Sequence, residues 1–291
     1  MKPTPASHLG MFLRARRAQL TPQECGLPGT DSARRVAGLR REEVARLAAI
    51  SVDYYTRLEQ GRVRASAPVL ATLARALRLD DDQKRYLYDL AGRGDARPRR
   101  RRPAERVRPA MRRLLDQLTE APALVLGRRL DVLAWNPAAA ALYTDFASLA
   151  PGRRNFVHLL FTNPVVRELH QDWEHDARDA VAALRMEAAA DPDDPELARL
   201  VGELSLKDTD FCVWWAEHRV TSATYGTKRY RHALVGDLTL DCDTWAGPDG
   251  SGQRLTVLTA ETGSPSHDAL RILTSWTAQE QDDEHTQDMS R

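Results

Sequence analysis

Apolar residues recur at helical spacing in two short, neighbouring stretches near the start of the chain. In the first stretch, Val44, Leu47 and Ala48 lie three or four positions apart, which predicts a helix over residues 41–48. Small and apolar residues at positions 49–50 then indicate a tight bend. The charged residues between the apolar ones leave the opposite face of this helix to solvent.

The second stretch predicts a helix over residues 52–60, with Tyr55 and Leu58 on its inner face. Ser51 stands where an N-cap belongs, since its hydroxyl can accept a bond from a free backbone N–H of the first turn. Gly61 follows at the position where a positive φ costs glycine least. Two short helices joined by a tight bend have the spacing of a helix-turn-helix motif, whose second helix fits the major groove of DNA.

Apolar spacing predicts three more helices around this motif, over residues 8–20, 69–77 and 80–91. Residues 21–38 contain several prolines and glycines and are predicted to form a loop. The pattern therefore predicts an all-α, five-helix domain over residues 1–92.

The next segment, residues 93–108, is rich in arginine and proline, and we interpret it as a linker. Its continuous basic run, from Arg99 to Arg102, leaves two interpretations open. The run is either an arm that lies on phosphates or in a minor groove, or a solvated linker that its own charge keeps extended.

Beyond residue 109 the pattern changes to a mixture of helical and alternating segments. Alternation within ALVLGRRLDVLAWN predicts a β-hairpin, and YGTKRYRHALVG, DLTLDCDTW and RLTVLTAE predict three further strands. Helices are predicted at residues 110–118, directly after the hairpin, over most of 155–206, at 210–218 and at 264–276. The fold class is therefore α+β overall, with a mixed α+β domain over residues 109–277 and a disordered polar tail over 278–291.

The charge of the chain divides at the predicted linker. The whole chain carries a formal net charge of +1. Residues 1–108 hold 24 basic and 12 acidic residues, a charge of +12, whereas the remainder holds 18 basic and 29 acidic residues, a charge of −11. A basic part joined to an acidic part is typical of a nucleic-acid-binding domain with a separate sensing or partner-binding domain.

The three cysteines, Cys25, Cys212 and Cys242, are too few and too widely spaced to predict a disulfide framework or a zinc site. The first residues, MKPTPASHLG, lack the apolar segment of a signal peptide, and no apolar run approaches the length of a membrane span. We therefore expect a cytoplasmic, nucleoid-associated protein with no metal site and no membrane partner.

The amino-acid sequence of the predicted motif resembles that of a known family. SVDYYTRLEQGR followed by PVLATLARALRL is similar to the lambda-repressor-like (XRE, Cro/C1) helix-turn-helix, and in particular to actinobacterial regulators of the MmyB-like family. The resemblance implies that Arg17 pairs with Glu59 and ties the first helix to the third. The alternative is that these are two independent surface charges.

The later part of the chain fits the same family through DVLAWN, VWWAEHRV and VGDLTL. These segments resemble the PAS-like ligand-binding domain of MmyB-like regulators. The resemblance implies that this domain encloses an apolar, fatty-acid-like ligand. We expect no other cofactor.

Alignment to the lambda-repressor-like pattern places Arg41, Val52, Asp53 and Arg57 where side chains meet DNA. We expect Arg57 to contact a guanine, which is worth about 1–3 kcal/mol of discrimination. Asp53 either accepts from a cytosine amino group or serves as a helix cap or as a partner for a neighbouring arginine. Val52 is placed to touch a thymine methyl group. The other expected contacts, mostly to phosphate, are Ser51, Tyr54, Thr56, Arg40, Arg62 and Arg64.

Aromatic residues of the later part are candidates for lining the ligand site. All six tryptophans of the chain lie after residue 109. The candidates are Trp135, Phe156, Phe161, Trp173, Phe211, Trp214, Trp215 and Trp245. They either surround a ligand or form a solid core, which is the commoner use of such residues.

No arrangement in the sequence predicts an enzyme. His170 and His175 are not at metalloprotease spacing, and we interpret their surroundings as a solvated polar helix. Ser264, His267 and Asp268 start one helix and cannot form a Ser–His–Asp relay, so helix capping explains them better. GPDGSG lacks the lysine and the following helix of a phosphate-binding loop.

The expected function is therefore a sequence-specific DNA-binding transcription regulator controlled by a small apolar ligand. We expect a homodimer on a double-stranded operator, because one such domain reads too few base pairs alone. The alternative is a DNA-binding adaptor whose C-terminal domain binds a protein partner instead of a small molecule.

Overall fold

The computed structural model describes the chain except residues 1–4, 28–37, 93–105, 192–193, 222–224, 247–250 and 276–291. The basic run at Arg99 to Arg102 and the predicted tail over 278–291 lie outside the described residues. The chain forms two compact units. The first consists of Met1–Arg100, Arg185–Pro195 and Val213–Ser222, and the second of Arg101–Leu184, Glu196–Cys212 and Ala223–Arg291.

Five short helices of the first unit appear where the apolar spacing predicts them. They are α1 (Pro5–Gln19), α2 (Arg41–Leu47), α3 (Val52–Glu59), α4 (Ala67–Ala76) and α5 (Asp81–Leu90). Their inner faces form one core that includes fully buried Phe12, Tyr55, Leu58 and Leu70. The bend between α2 and α3 contains Ala49 in the left-handed region, at φ 54°.

A glycine allows α1 to lie directly against the end of α3. A Cβ at Gly10 would stand 2.1 Å from the carbonyl oxygen of Glu59, so only glycine fits there without moving the backbone. This close approach explains how α1 reaches the buried end of the second helix of the motif.

Five antiparallel strands of the second unit form one sheet. They are β1 (Ala123–Leu126), β2 (Val132–Trp135), β3 (Tyr225–His232), β4 (Gly236–Ala246) and β5 (Arg254–Thr259). The sheet order is β2-β1-β5-β4-β3. The predicted hairpin is thus joined to the three predicted strands through the pairing of β1 with β5. In this pair of strands, Val125 lies opposite Leu255.

The helices beyond residue 108 also follow the sequence closely. They are α6 (Pro109–Gln117), α7 (Pro137–Leu142), α8 (Phe156–Thr162), α9 (Pro164–Leu169), α10 (Trp173–Ala190), α11 (Pro195–Lys207) and α12 (Thr209–Ala216), with a 3-10 turn at Pro151–Arg153 and a helical segment at 265–275. Asn136 caps α7 through a bond from the Ala139 amide, and Ser264 caps the last segment through a bond from the His267 amide. None of the described helices is both long enough and apolar enough to cross a membrane.

Candidate DNA-binding surface and candidate ligand-binding residues

Helix α3 presents its outer face to solvent while its inner face is buried. Tyr55 and Leu58 are fully buried, whereas Val52 is 43% exposed. The side chains of Asp53 and Arg57 are 70% and 55% exposed. The residues that the sequence assigned to base contacts therefore lie together on one accessible face, which we call the α3 outer face (Val52, Asp53 and Arg57).

Asp53 and Arg57 form an ion pair one helical turn apart, with 2.9 Å between Asp53 Oδ2 and Arg57 Nη2. Such an exposed pair adds little to stability. Its effect is to restrict the directions in which the guanidinium group points. Asp53 is thus the partner of a neighbouring arginine in this structure, and its contact with a cytosine stays a prediction.

The remaining polar candidates surround this face. Arg62 and Arg64 are exposed, Arg40 and Thr56 are half-buried, and the Tyr54 hydroxyl donates to the carbonyl oxygen of Arg64. Their contacts to DNA stay predictions.

Ser51 caps α3, as its position predicts. Its Oγ accepts a bond of 3.1 Å from the backbone N–H of Tyr54. The cap satisfies one of the free amide groups at the start of the helix and fixes where the α3 outer face begins.

Replacing Ser51 with alanine should lower the free energy of unfolding by about 1 kcal/mol, because one amide of α3 loses its partner. Ser66 is the matched control, since it precedes α4 without a side-chain cap bond. Urea unfolding of both alanine variants checks the prediction. Equal losses for the two serines would contradict the capping role.

A buried carboxylate ties α3 to the two helices beside it. Glu59 is fully buried as a side chain, and its two oxygens accept from Arg17 Nε at 2.6 Å and from Arg41 Nε at 2.8 Å. Arg17 also donates to the carbonyl oxygen of Leu39 at 2.7 Å. The predicted pairing of Arg17 with Glu59 is confirmed, and the alternative of two independent surface charges is wrong.

Arg41 has a structural partner that the sequence did not predict. It was assigned to DNA alone, yet its Nε is bound to Glu59 and its side chain is 41% exposed. The second guanidinium edge is not used by this bond, so its predicted contact with DNA stays a prediction.

The pKa of Glu59 sets a pH dependence for the first unit. Burial opposes ionisation of Glu59, but the bonds from Arg17 and Arg41 outweigh it and hold the pKa below its ordinary value of 4.5. A carboxylate with a lowered pKa in the folded state stabilises the fold above the unfolded pKa and loses that contribution as the pH falls.

We therefore expect the free energy of unfolding of the first unit to fall as the pH drops below about 4.5. Urea unfolding between about pH 7 and pH 3 measures this loss. A Glu59→Gln variant should show a weaker pH dependence. A variant with the full acid-induced loss of the wild type would contradict this assignment.

The candidate aromatic residues do not form one group. Phe161 packs edge to face against Trp173 and Phe211, at ring distances of 5.5 and 5.2 Å. In a second group of the same unit, Trp135 lies 5.3 Å from Phe146. Phe156 lies 5.5 Å from Tyr143, which in turn contacts Phe146 at 6.5 Å.

The other candidates lie elsewhere. Trp214 is buried and Trp215 lies under the guanidinium of Arg185, at 3.9 Å, within the first unit. Trp245 is 55% exposed. Strand alternation puts Trp245 on the opposite face of the sheet from the buried Leu238 and Leu240 of the same strand.

The interpretation of His170 as part of a solvated polar helix is wrong. Its side chain is only 2% exposed, whereas that of His175 is 67% exposed. His170 follows Val166 by four positions and therefore shares its buried face, which is a signal that the sequence already contained. Tyr143 and Tyr230, which sequence reasoning passed over, are buried beside it.

These features define a helix-turn-helix protein: the five helices form a bundle, α3 is capped, and the α3 outer face is exposed. A family model for a helix-turn-helix domain matches residues 8–87. The model of the MmyB-like transcription regulator ligand binding domain matches residues 107–273, more than half of the chain. The chain therefore belongs to the MmyB-like transcription regulators. A comparison with curated protein sequences gave no significant match.

Proposed function

We propose that the chain binds a specific operator as a homodimer through the α3 outer face. The observation that carries this proposal is the exposed pair of Asp53 and Arg57 on a helix whose position is fixed by buried Tyr55, Leu58 and Glu59. A helix whose inner face is fixed by buried side chains can present its outer side chains to base edges in the major groove. The +12 charge of residues 1–108 supports attraction to the phosphate backbone.

The ligand that controls DNA binding is, in this proposal, small and largely apolar, and the domain that holds it is PAS-like. The five-stranded antiparallel sheet flanked by helices and the two aromatic groups of the second unit support it. Such a ligand acts through different affinities for DNA-competent and DNA-incompetent arrangements of the protein.

DNA binding is tested by titrating the full chain with two duplexes at two salt concentrations. One duplex, the selected duplex, is obtained by selecting random DNA for binding to this chain, and the other is a scrambled version of it. We expect preference for the selected duplex at both concentrations, and binding to both duplexes that weakens with salt. The stoichiometry of the complex tests the homodimer. Equal affinity for both duplexes would contradict sequence-specific binding.

Mass analysis of molecules extracted from the purified protein tests the ligand. A co-purified apolar molecule supports small-molecule control. An empty protein that captures a partner through residues 109–277 would instead support the adaptor alternative.

A further inference from the structure

A set of polar side chains lies buried inside the second unit. Tyr143 follows α7, His170 follows α9, Asp176 belongs to α10, and Lys228 and Tyr230 belong to β3. We call these five residues the buried polar cluster. Apart from Lys228, whose side chain is 22% exposed, every member is at most 6% exposed. Their burial requires a physical explanation, because polar groups are costly to remove from water unless they are bonded.

One half of the cluster leaves a hydrogen-bond acceptor unused. The two carboxylate oxygens of Asp176 each accept a hydrogen bond. Oδ1 accepts from Lys228 Nζ at 2.5 Å, and Oδ2 accepts from His170 Nδ1 at 2.7 Å. The carboxylate accepts from the imidazole N–H on Nδ1, and in that tautomer Nε2 carries the lone pair. Nε2 is buried, and among the described residues it has no hydrogen-bond partner.

In the other half, one donor has no acceptor among the residues that the structure describes. The hydroxyls of Tyr143 and Tyr230 lie 2.8 Å apart and share one hydrogen bond. Two hydroxyls carry two protons, and their mutual bond uses only one of them. Burial raises the pKa of both phenols, so both protons stay in place.

The two halves are in contact. The ring of His170 lies 4.9 Å from the ring of Tyr230 and stacks on that of Tyr143 at 6.1 Å. Phe156 closes the cluster with an apolar face, 5.5 Å from Tyr143. The aromatic rings of the two halves thus pack against one another around His170.

We propose that the buried polar cluster anchors a hydroxyl group of the ligand. The hydroxyl would donate to His170 Nε2 and accept from the remaining tyrosine proton, which satisfies both groups at once. Lys228 is already paired with Asp176, so the cluster does not offer that cation to an anionic head group. The ligand class is therefore an apolar alcohol or phenol. This inference rests on the proposed ligand-binding function and specifies its chemistry.

The experiment compares 1-decanol and decanoate as probes, by titration calorimetry on the full chain. His170→Asn keeps a donor near the Nδ1 position for Asp176 but removes the Nε2 acceptor. The double variant Tyr143→Phe and Tyr230→Phe removes both hydroxyls, and replacing both partners by groups of the same shape is close to neutral for folding. Tyr225→Phe is the control, because Tyr225 lies on the same strand as Tyr230 and is 80% exposed.

We expect the wild type to bind 1-decanol more tightly than decanoate, and each cluster variant to bind 1-decanol about tenfold more weakly. The Tyr225→Phe variant should bind like the wild type. Unchanged binding in both cluster variants overturns the location. Equal or tighter binding of decanoate, lost in the same variants, overturns the chemical class.

The proposed function is tested separately, by adding duplex DNA to the same samples. If neither probe binds but the duplex does, the hydroxyl anchor is wrong and the DNA-binding proposal stands. If the selected duplex is not preferred over a scrambled one, the DNA-binding proposal fails whatever the probes do.

Discussion

Replacing Glu59 with glutamine is expected to lower the free energy of unfolding of the first unit by about 3 kcal/mol. The carboxylate is fully buried, and it is shared by Arg17, which is 13% exposed, and Arg41, which is 41% exposed. Glutamine has one acceptor oxygen and no charge, so the buried guanidinium of Arg17 loses its counter-ion. Removing one member of a buried ion pair costs more than the pair contributes, because the other charge stays buried.

Calorimetry and urea unfolding followed by circular dichroism measure this loss. Glu42→Gln is the matched control, since Glu42 is an exposed residue of the same helix as Arg41 and should change stability by no more than about 0.5 kcal/mol. The double variant Arg17→Met with Glu59→Leu should be less destabilised than Glu59→Gln. Similar losses for the Glu59 and Glu42 variants would show that the buried carboxylate does not hold the three helices together.

Replacing Arg57 with alanine is expected to lower affinity for the selected operator by about 1–3 kcal/mol, or roughly 5- to 150-fold, for each guanine contact that is lost. The reason is the loss of a guanidinium that can bind a guanine through both its acceptors in the major groove. Binding to scrambled DNA should fall far less, because phosphate contacts supply that affinity. Arg57 is exposed and its ion pair with Asp53 is weak, so the fold should be unaffected.

Fluorescence anisotropy with selected and scrambled duplexes measures both affinities. Arg85→Ala is the control, because Arg85 is a similarly exposed arginine of α5, outside the motif. A variant that keeps its operator preference would mean that α3 does not read the sequence. Loss of affinity for both duplexes by the same factor would make Arg57 a phosphate contact.

Most of the first unit could be predicted from the sequence, because its signals are local. The spacing of Val44, Ala48, Tyr55 and Leu58 sets both helices of the motif, and their bounds differ from the prediction by a single residue. Ser51 caps through a bond that spans only three residues. The pairing of Arg17 with Glu59 joins distant parts of the chain, and it came from the family resemblance.

The pairing of the strands was beyond local reasoning. β1 and β5 are separated by more than a hundred residues, and no spacing in either strand specifies its partner. The strands themselves were predicted correctly, because the alternation of apolar and polar residues along a strand is a local signal. The assembly of the hairpin and the three strands into one sheet depends on non-local contacts.

The aromatic candidates were chosen by residue type, and residue type does not decide which face a side chain takes. Trp245 lies on the opposite face of β4 from Leu238 and Leu240, which the alternation along the strand already indicated. His170 was assigned to a solvated polar helix, although its spacing from Val166 places it on a buried face. The polar residues of a site can thus be missed when only aromatic ones are sought.

The central claim is that the α3 outer face enters the major groove and reads a guanine. Methylation of guanine N7 tests this most directly, since the methyl group blocks that acceptor in the major groove and leaves the minor groove unchanged. We predict that one modified guanine in each half of the selected operator weakens binding by the wild type about as much as the Arg57→Ala substitution does, and that the Arg57→Ala variant is insensitive to the modification. If methylated guanines never interfere, or interfere equally with both proteins, α3 does not read DNA in this way.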